Sequence, residues 1–349
     1  MELSLAKGWT QVEPKDTPFE LLMSGQSPGQ RVLASNTSFT RQRDLGFSGG
    51  TNCPLAVDHV AGRVYVSVDG IISYGVHEAE QHELDIEDDL SAVWMLEYVP
   101  AGPELLMHLA GGGPRQSFIA WLNLENRQMR KGLLPAEAFF PLGLNIKHSK
   151  ALYSTRQGAA VYDLNGSIQA IATVDLPFQA TGGTFDADAF RIILGGNGLF
   201  GWKTETGELS HLCERGSYPV IDDAGGVWFS LNDGALAKLR GGEASFEVIV
   251  ELTEVDTSSM KAGSYAQPLV LSPDGRYGLA RLTGQTELAG KELQEAEAFC
   301  KSVDQPFSDF HRHQYHHYSC VLDLEVQEVW CHEGYAHNIA WVAVDGMNT

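Results

Sequence analysis

The stretch GTFDADAFRIILGGNGLFGWKTETGELSHL, residues 183–212, decides the fold of this chain. It contains two apolar strands joined by a short acidic turn, followed by a second pair of strands joined by a polar turn. Asp186 at the first turn and Trp202 in the third strand are 16 residues apart. Four strands connected in this way form one small antiparallel sheet.

The same unit recurs along the chain. A distance of 15 or 16 residues between the first turn and the third strand is found in three further units: Asp58 to Tyr74, Lys147 to Tyr162 and Asp222 to Lys238. Successive units are spaced by about 40 residues, the length of one four-stranded propeller blade. Because such a sheet cannot cover both of its faces alone, the units must stack on one another. The sequence therefore predicts an all-β fold, a single β-propeller of seven four-stranded blades with one helix-plus-loop insertion; six or eight blades are the alternatives.

We predict one domain over residues 1–349, closed into a ring. The C-terminal segment supplies one more apolar strand, over residues 337–344. The N-terminal unit, near residues 19–50, has strands that can pair with it. Pairing of the C-terminal strand with the N-terminal blade would remove the free sheet edges that promote aggregation.

Three segments carry a family resemblance. They are the turn Ser272-Pro273-Asp274-Gly275-Arg276-Tyr277 and the strand ends Tyr162-Asp163-Leu164-Asn165-Gly166 and Trp202-Lys203-Thr204-Glu205-Thr206-Gly207. They resemble the blades of TolB-like and YVTN-type β-propellers, and the resemblance extends over nearly the whole chain. The Trp-Asp dipeptide of WD40 repeats is absent from the sequence. The resemblance implies the propeller fold and no particular activity, because propellers include enzymes, receptors and scaffolds.

The chain is strongly acidic. Its 45 Asp and Glu residues against 24 Lys and Arg give a formal net charge of −21. Such a surface repels nucleic-acid phosphates and anionic lipid headgroups, so we expect no nucleic-acid and no membrane partner. The N-terminus lacks the pattern of a secretory signal, and no apolar run approaches the roughly 20 residues of a membrane span. A basic protein is the partner that the charge favours.

The five cysteines are odd in number and contain no Cys-x-x-Cys pair. This pattern indicates buried free thiols rather than a disulfide framework or a zinc ribbon. Free thiols are typical of a reducing compartment, so the expected location is the cytoplasm.

One unit is longer than the others. Ser272 and Leu322 are 50 residues apart where 16 is usual, which indicates an insertion over residues 284–317. Its first half has apolar positions at helical spacing, and its second half is rich in histidine and aromatic residues. We predict a helix followed by a His-rich loop that projects over one face of the ring.

The His-rich loop contains the candidate metal ligands, which are His311, His313, His316 and His317, with Asp309 as a further ligand. Neutral imidazole binds divalent transition metals well, and a metal with an open coordination position can activate water. The spacing His-x-His-x-x-His-His does not match a known zinc motif. A partner-binding loop and a merely solvated loop are therefore the alternatives, and no other cofactor is expected.

An acidic segment, residues 77–89, is the second candidate site. It contains seven carboxylates, which are Glu78, Glu80, Glu83, Asp85, Glu87, Asp88 and Asp89. They could dock a basic protein, form a solvated negative surface or bind calcium, although the regular spacing of a calcium loop is missing.

Two functions are compatible with these features. The first hypothesis is a non-catalytic recognition propeller, such as an inhibitor or immunity-type protein, that binds a basic protein through the acidic segment and the insertion. The alternative is a metal-dependent hydrolase or lyase that uses the histidines of the insertion. The sequence shows no complete set of catalytic residues, which favours the first hypothesis.

Overall fold

A computed structural model describes residues 2–26, 31–48, 54–67, 71–75, 81–84, 93–100, 102–110, 117–165, 168–186, 190–232, 234–240, 245–253, 269–303, 305–334 and 338–344. These residues form strands almost throughout. The first two strands, β1 (Leu3–Leu5) and β2 (Thr10–Gln11), are short. All the strands belong to seven sheets, which we call blades 1 to 7 in chain order.

The first three blades are built from the N-terminal part of the chain and its last strand. Blade 1 contains β3 (Phe19–Gln26), β4 (Arg31–Asn36), β5 (Gln42–Ser48) and β30 (Asn338–Ala343). Blade 2 contains β6 (Leu55–Asp58), β7 (Arg63–Ser67), β8 (Ile71–Gly75) and β9 (Gln81–Leu84). Blade 3 contains β10 (Val93–Val99), β11 (Glu104–Ala110), β12 (Ser117–Asn123) and β13 (Met129–Leu133).

The next two blades follow without interruption. Blade 4 contains β14 (Pro141–Asn145), β15 (Lys150–Ser154), β16 (Gly158–Asp163) and β17 (Gln169–Asp175). Blade 5 contains β18 (Gly182–Phe185), β19 (Arg191–Gly195), β20 (Leu199–Lys203) and β21 (Leu209–Cys213).

The last two blades each gain a fifth strand from the N-terminus. Blade 6 contains β22 (Ser217–Ile221), β23 (Val227–Asn232), β24 (Ala235–Leu239) and β25 (Phe246–Leu252), with β1 antiparallel to β25. Blade 7 contains β26 (Leu269–Leu271), β27 (Tyr277–Glu287), β28 (His313–Asp323) and β29 (Glu328–Glu333), with β2 parallel to β29. The N-terminal segment therefore runs along the outer edges of two neighbouring blades, an arrangement that the repeat pattern does not predict.

Hydrophobic clusters lie between the blades rather than within them. Seven clusters occur among the described residues, and each joins two consecutive blades, the last joining blade 7 to blade 1. Leu22 and Val64, for example, pack together between blades 1 and 2. Every blade thus has both faces covered by its neighbours, as a closed ring requires. The predicted all-β propeller with one helical insertion is confirmed.

The two ends of the chain meet in blade 1. Strand β30 pairs antiparallel with β3, with Trp341 opposite Leu21. The indole Nε1 of Trp341 donates a hydrogen bond to the carbonyl of Val270 in blade 7 at 2.9 Å. Trp330 in blade 7 donates likewise to the carbonyl of Thr37 in blade 1 at 2.7 Å. The last strand therefore completes the first blade, and two indole hydrogen bonds attach that blade to blade 7.

The acidic residue after the first strand closes the turn to the second strand. The carboxylate of Asp58 accepts hydrogen bonds from the amides of Val60 and Ala61. Asp222 accepts from the amide of Gly226, from Trp228 Nε1 at 2.8 Å and from Lys238 Nζ at 3.0 Å. The recurring acids of the sequence pattern therefore stabilise turns.

The insertion in blade 7 lies between β27 and β28. Helix α1 spans Gly290–Ser302, and a short 3-10 helix spans Asp309–Arg312. The predicted His-rich loop is partly strand, because β28 already begins at His313. His313 pairs with Glu287, the last residue of β27, and the ladder continues from there to Asp323 and Tyr277. Among the described residues, α1 and the other helices are too short or too polar to cross a membrane.

The prediction of free thiols is wrong for two of the five cysteines. Cys320 and Cys331 form a disulfide between β28 and β29, where the strand register places them opposite each other. Cys213 and Cys300 are free and buried, and Cys53 lies outside the described residues.

Adjacent strands near the axis approach closely where glycine replaces a side chain. A Cβ atom on Gly182 in blade 5 would lie 2.6 Å from the Cα of Tyr218 in blade 6. Only a backbone shift could relieve this contact, because the neighbouring atom is itself backbone.

We therefore expect Gly182→Ala to lower the free energy of unfolding by about 1–3 kcal/mol, the usual cost of overpacking. Gly102→Ala is the control, since no atom lies within 4 Å of its Cβ position. Urea unfolding of both variants measures the difference. Equal stabilities for the two variants would contradict the close approach of blades 5 and 6.

Candidate functional site

A cavity of about 580 Å³ runs along the axis of the ring. Every blade contributes to its lining, mainly through its innermost strand. Because adjacent strands are antiparallel, the connections after the second and fourth strands of each blade lie at one end of the ring, which we call the upper face. Helix α1 belongs to such a connection and lies on the upper face. Asn338 and Pro141, which begin the innermost strands of blades 1 and 4, line the upper end of the cavity.

Glu97 in β10 is the carboxylate of the cavity wall. Its side chain is accessible from the lumen and lies deep among the surrounding blades. This desolvation raises the pKa of Glu97 from 4.5 to about 7, because burial disfavours the charged form. Its carboxylate makes no ion pair or hydrogen bond within the described part of the chain. Among the described residues, Glu97 therefore has no counter-charge in the wall.

Trp94, three residues before Glu97, also lines the cavity. Its ring stacks on Phe140 of blade 4 at a centroid distance of 6.1 Å. Behind it lies His108 of β11, whose ring centre is 6.3 Å from that of Trp94 and 5.4 Å from that of Tyr153. The upper wall at the interface of blades 3 and 4 is thus aromatic.

His108 is buried in this aromatic wall, with 1% of its surface exposed. Neither ring nitrogen has a hydrogen-bond partner within the described residues. Desolvation lowers the pKa of His108 to about 4, so its imidazole is neutral at physiological pH. Burial also raises the pKa of the neighbouring Tyr153 phenol, so this wall supplies neutral polar groups rather than charge.

Arg281 of β27 provides positive charge to the cavity, and 9% of its surface is exposed. It follows Leu279 by two residues, and Leu279 belongs to the cluster between blades 7 and 1. Side chains two residues apart in a strand share a face, so Arg281 lies at that interface too. Asn338 of blade 1 lines the cavity there, and its amide donates to Ser24 Oγ at 3.2 Å.

Glu97 and Arg281 stand on opposite sides of the lumen. Glu97 pairs across the ladder with Leu106, which packs between blades 3 and 4. In a ring of seven, that interface is separated from the interface of blades 7 and 1 by three blades in one direction and four in the other. A further cation, Lys147, lies in the 3-10 helix Ile146–His148 that follows β14, at the lower end of the cavity.

The structure separates the predicted histidine ligands. The Nδ1 atom of His311 accepts a hydrogen bond from the backbone N–H of Ser308, the residue before the 3-10 helix, and is also bonded to Ser308 Oγ. His316 and His317 are consecutive in β28 and therefore lie on opposite faces of the sheet. Their rings bond to different threonines, Thr286 at 2.9 Å and Thr283 at 3.1 Å.

No group of three or more His, Cys, Asp or Glu side chains suited to a metal occurs in the described residues. The side chain of Asp309 is not among those described. The metal site at His311, His313, His316, His317 and Asp309 stays a prediction.

The acidic segment lies largely outside the described residues. Glu83 is in β9, opposite Ile72 of β8. The other six carboxylates, Glu78, Glu80, Asp85, Glu87, Asp88 and Asp89, are not described. Their role as a docking site also stays a prediction.

Sequence reasoning missed the cavity residues. Glu97 and Arg281 each interrupt an apolar strand, in VWMLEYV and YGLARLTG. A charged residue within an otherwise apolar strand is the signal that could have identified them.

Similarity to solved structures is confined to the fold. No protein-family model and no curated protein sequence matches the chain. The extracellular domain of a putative hybrid two-component system from B. thetaiotaomicron aligns with a TM-score of 0.52 and 14% identity, over 77% of this chain and 39% of that one. The β-propeller domain of Cps50 (Swd1) from Myceliophteria thermophila aligns with a TM-score of 0.50 and 11% identity, over 73% of this chain and 90% of that one.

TolB from Acinetobacter baumannii gives a TM-score of 0.45 and 16% identity, over 68% of this chain and 63% of that chain. The chain therefore spans less than two thirds of the TolB chain and of that extracellular-domain chain. The fold is a β-propeller, which is compatible with a non-catalytic binding module.

The pKa of Glu97 predicts a pH-dependent stability. Between its ordinary pKa of 4.5 and its folded pKa of about 7, the unfolded chain is ionised at this residue while the folded chain holds the proton. Stability relative to Glu97→Gln should therefore fall as the pH rises through this window and stay constant above it.

Urea unfolding of the parent and of Glu97→Gln at a series of pH values measures this difference. Glu125→Gln, at an exposed turn, is the control and should show no such trend. A stability difference for Glu97→Gln that is the same at about pH 5 and about pH 8 would show that the carboxyl is not desolvated.

Proposed function

We propose that this chain is a non-catalytic recognition propeller that binds a small polar ligand in its axial cavity. The observation that supports this best is the cavity itself. Its volume of about 580 Å³ lies in the usual range for sites of small ligands, roughly 300–1,000 Å³. Its wall combines an aromatic side, at Trp94, with a small number of polar groups, and such walls are typical of ligand sites.

The arrangement of charges supports binding rather than catalysis. A general acid and a general base act on the same few atoms of a substrate, so they must lie close together. Glu97 and Arg281 instead belong to blade interfaces on opposite sides of the lumen. Charges placed this far apart do not act together on one reacting atom.

A variant that fills the cavity tests the proposal. Val220 of β22 is half-buried and lines the lumen, so Val220→Trp should fill much of it. Immobilised protein is equilibrated with a small-molecule extract of cells, washed and denatured, and the released molecules are measured by mass spectrometry. We expect the parent to retain at least one kind of small molecule, at a ratio close to one per chain. Val220→Trp should lose this molecule.

Val326→Trp is the matched control, since Val326 lies in an exposed turn with 51% of its surface accessible. It should retain the same molecule as the parent. Identical retention by Val220→Trp and Val326→Trp would contradict a ligand site on the axis.

A basic protein partner is the second candidate function, and the net charge of −21 favours it. In this proposal the acidic carboxylates of residues 77–89 supply the attraction, as in an inhibitor of a basic protein. The disulfide between Cys320 and Cys331 favours an oxidising compartment over the cytoplasm as the place of this encounter.

Affinity capture from native lysate at low and high salt tests the docking proposal. Changing the seven acids of residues 77–89 to their amides should abolish recovery of a basic partner, and salt should reduce it in the parent. The control changes Glu125, Glu205 and Glu214, which are exposed elsewhere. Recovery that is unaffected by salt and by the seven substitutions would contradict the proposal.

A further inference from the structure

The wall of the axial cavity is largely main chain. Every blade contributes its innermost strand, and among the described residues that strand is hydrogen-bonded to a neighbour on one side only. Its free edge therefore turns backbone N–H and C=O groups toward the lumen. Gly143, Gly182 and Gly183 lie in these strands, where no side chain shields the backbone. The cavity thus presents hydrogen-bonding groups around its circumference.

The free edges supply more acceptors than donors. Pro54, Pro141 and Pro219 line the cavity, and a proline has a carbonyl group but no N–H. The carboxylate of Glu97, which is accessible from the lumen, is a further acceptor. A ligand with several hydroxyl groups suits such a wall, because each hydroxyl donates one hydrogen bond and can also accept.

An extended peptide suits these edges less well. A peptide strand needs a regular row of partners, and register shifts interrupt three of the innermost strands, β10, β14 and β22. Pro141 in β14 and Pro219 in β22 also cannot donate to an added strand. Hydroxyl groups need no such row, because each of them bonds separately.

A charged ligand finds little in the lumen to pair with. Of the described residues that line it, three are charged: Glu97, Lys147 and Arg281. Lys147 is exposed to solvent at the lower end, and Arg281 already interacts with another group of the protein. The Glu97 carboxylate repels an anion. A neutral ligand avoids the free-energy cost of an uncompensated charge.

The indole of Trp94 suits one face of a sugar ring. Trp94 is half-buried and lines the lumen three residues before Glu97. One face of a hexose ring carries mainly C–H groups, and an aromatic side chain can cover it. The hydroxyl groups at the rim of the ring then remain free to bond to the wall.

We propose that the axial cavity binds a small neutral saccharide, with its hydroxyl groups on the free strand edges and one ring face on Trp94. This inference rests on the proposed function, since it names the chemical class of the ligand that the cavity holds.

Calorimetric titration with a panel of neutral sugars tests the inference. The probes are glucose, galactose, mannose and xylose, with the disaccharides maltose, cellobiose and lactose. Cyclohexanol is a ring with one hydroxyl group, glucuronate adds a carboxylate to the sugar, and tetraglycine tests strand addition. We expect at least one saccharide to bind about tenfold or more tightly than each of these three comparison compounds.

Substitutions assign the saccharide to the wall of the lumen. Trp94→Ala should weaken its binding about tenfold or more, and Trp94→Phe, which keeps an aromatic ring, should restore part of the loss. Phe190→Ala is the matched control, because Phe190 lies at an exposed bend with 50% of its surface accessible. It should bind the sugar as the parent does.

Deoxy analogues test the hydroxyl groups directly. Analogues of the tightest-binding sugar that each lack one hydroxyl should bind about threefold to tenfold more weakly, the usual effect of losing one hydrogen bond.

The outcomes separate this inference from the proposed function. If no saccharide binds more tightly than cyclohexanol, or if Trp94→Ala and Phe190→Ala bind it equally, the saccharide site is contradicted. Tighter binding of tetraglycine than of every saccharide would assign the free edges to a peptide and contradict it as well. The proposed function fails instead when Val220→Trp retains the same cellular molecules as the parent. A retained molecule that is charged or lacks hydroxyl groups would contradict the inference and support the function.

Discussion

Packing of each sheet against two neighbours is the constraint on which this structure depends. A blade of four strands has two apolar faces, and a single partner covers only one of them. Seven clusters in the described residues meet this requirement in turn, and the cluster that joins blades 7 and 1 contains Leu279, Val321 and Trp341. This last interface depends on both ends of the chain. Trp341 belongs to the last strand, β30, and β30 pairs with the N-terminal strand β3 in blade 1. The covering of every other face depends on it.

The same geometry creates the axial cavity and restricts what it can bind. Innermost strands from seven blades surround a lumen that no single blade could form, so residues far apart in sequence line it together. Glycines such as Gly143 and Gly182 let strands on one side approach closely, since a Cβ on either would lie 2.6 Å from backbone atoms of the next blade. Glu97 and Arg281 line this lumen at blade interfaces on opposite sides. Binding of a small polar ligand in this lumen is the consequence that we propose.

Much of the fold could be predicted because propeller blades repeat local patterns. The distance from Asp186 to Trp202 reflects strand lengths and turns within one blade, and such distances are visible in the sequence. Other features depend on register between distant residues. Cys320 and Cys331 lie opposite each other in the β28–β29 hairpin, at equal distances from its turn. The hairpin pattern in the sequence therefore indicated their disulfide, whereas the number and spacing of the cysteines did not. The site was missed because a charged residue within an apolar strand has meaning only when the axis is known, as Glu97 shows.

Separation of the C-terminal strand from the rest of the chain tests the central claim of a closed ring most directly. Deletion of residues 337–349 removes β30, and with it the indole of Trp341 that bonds to blade 7. We predict that the truncated chain loses its cooperative urea transition, because one face of the ring is left open, and that a synthetic peptide of residues 337–349 restores it. A truncated chain that unfolds with the same midpoint and slope as the full chain, and that gains nothing from the peptide, would contradict the account.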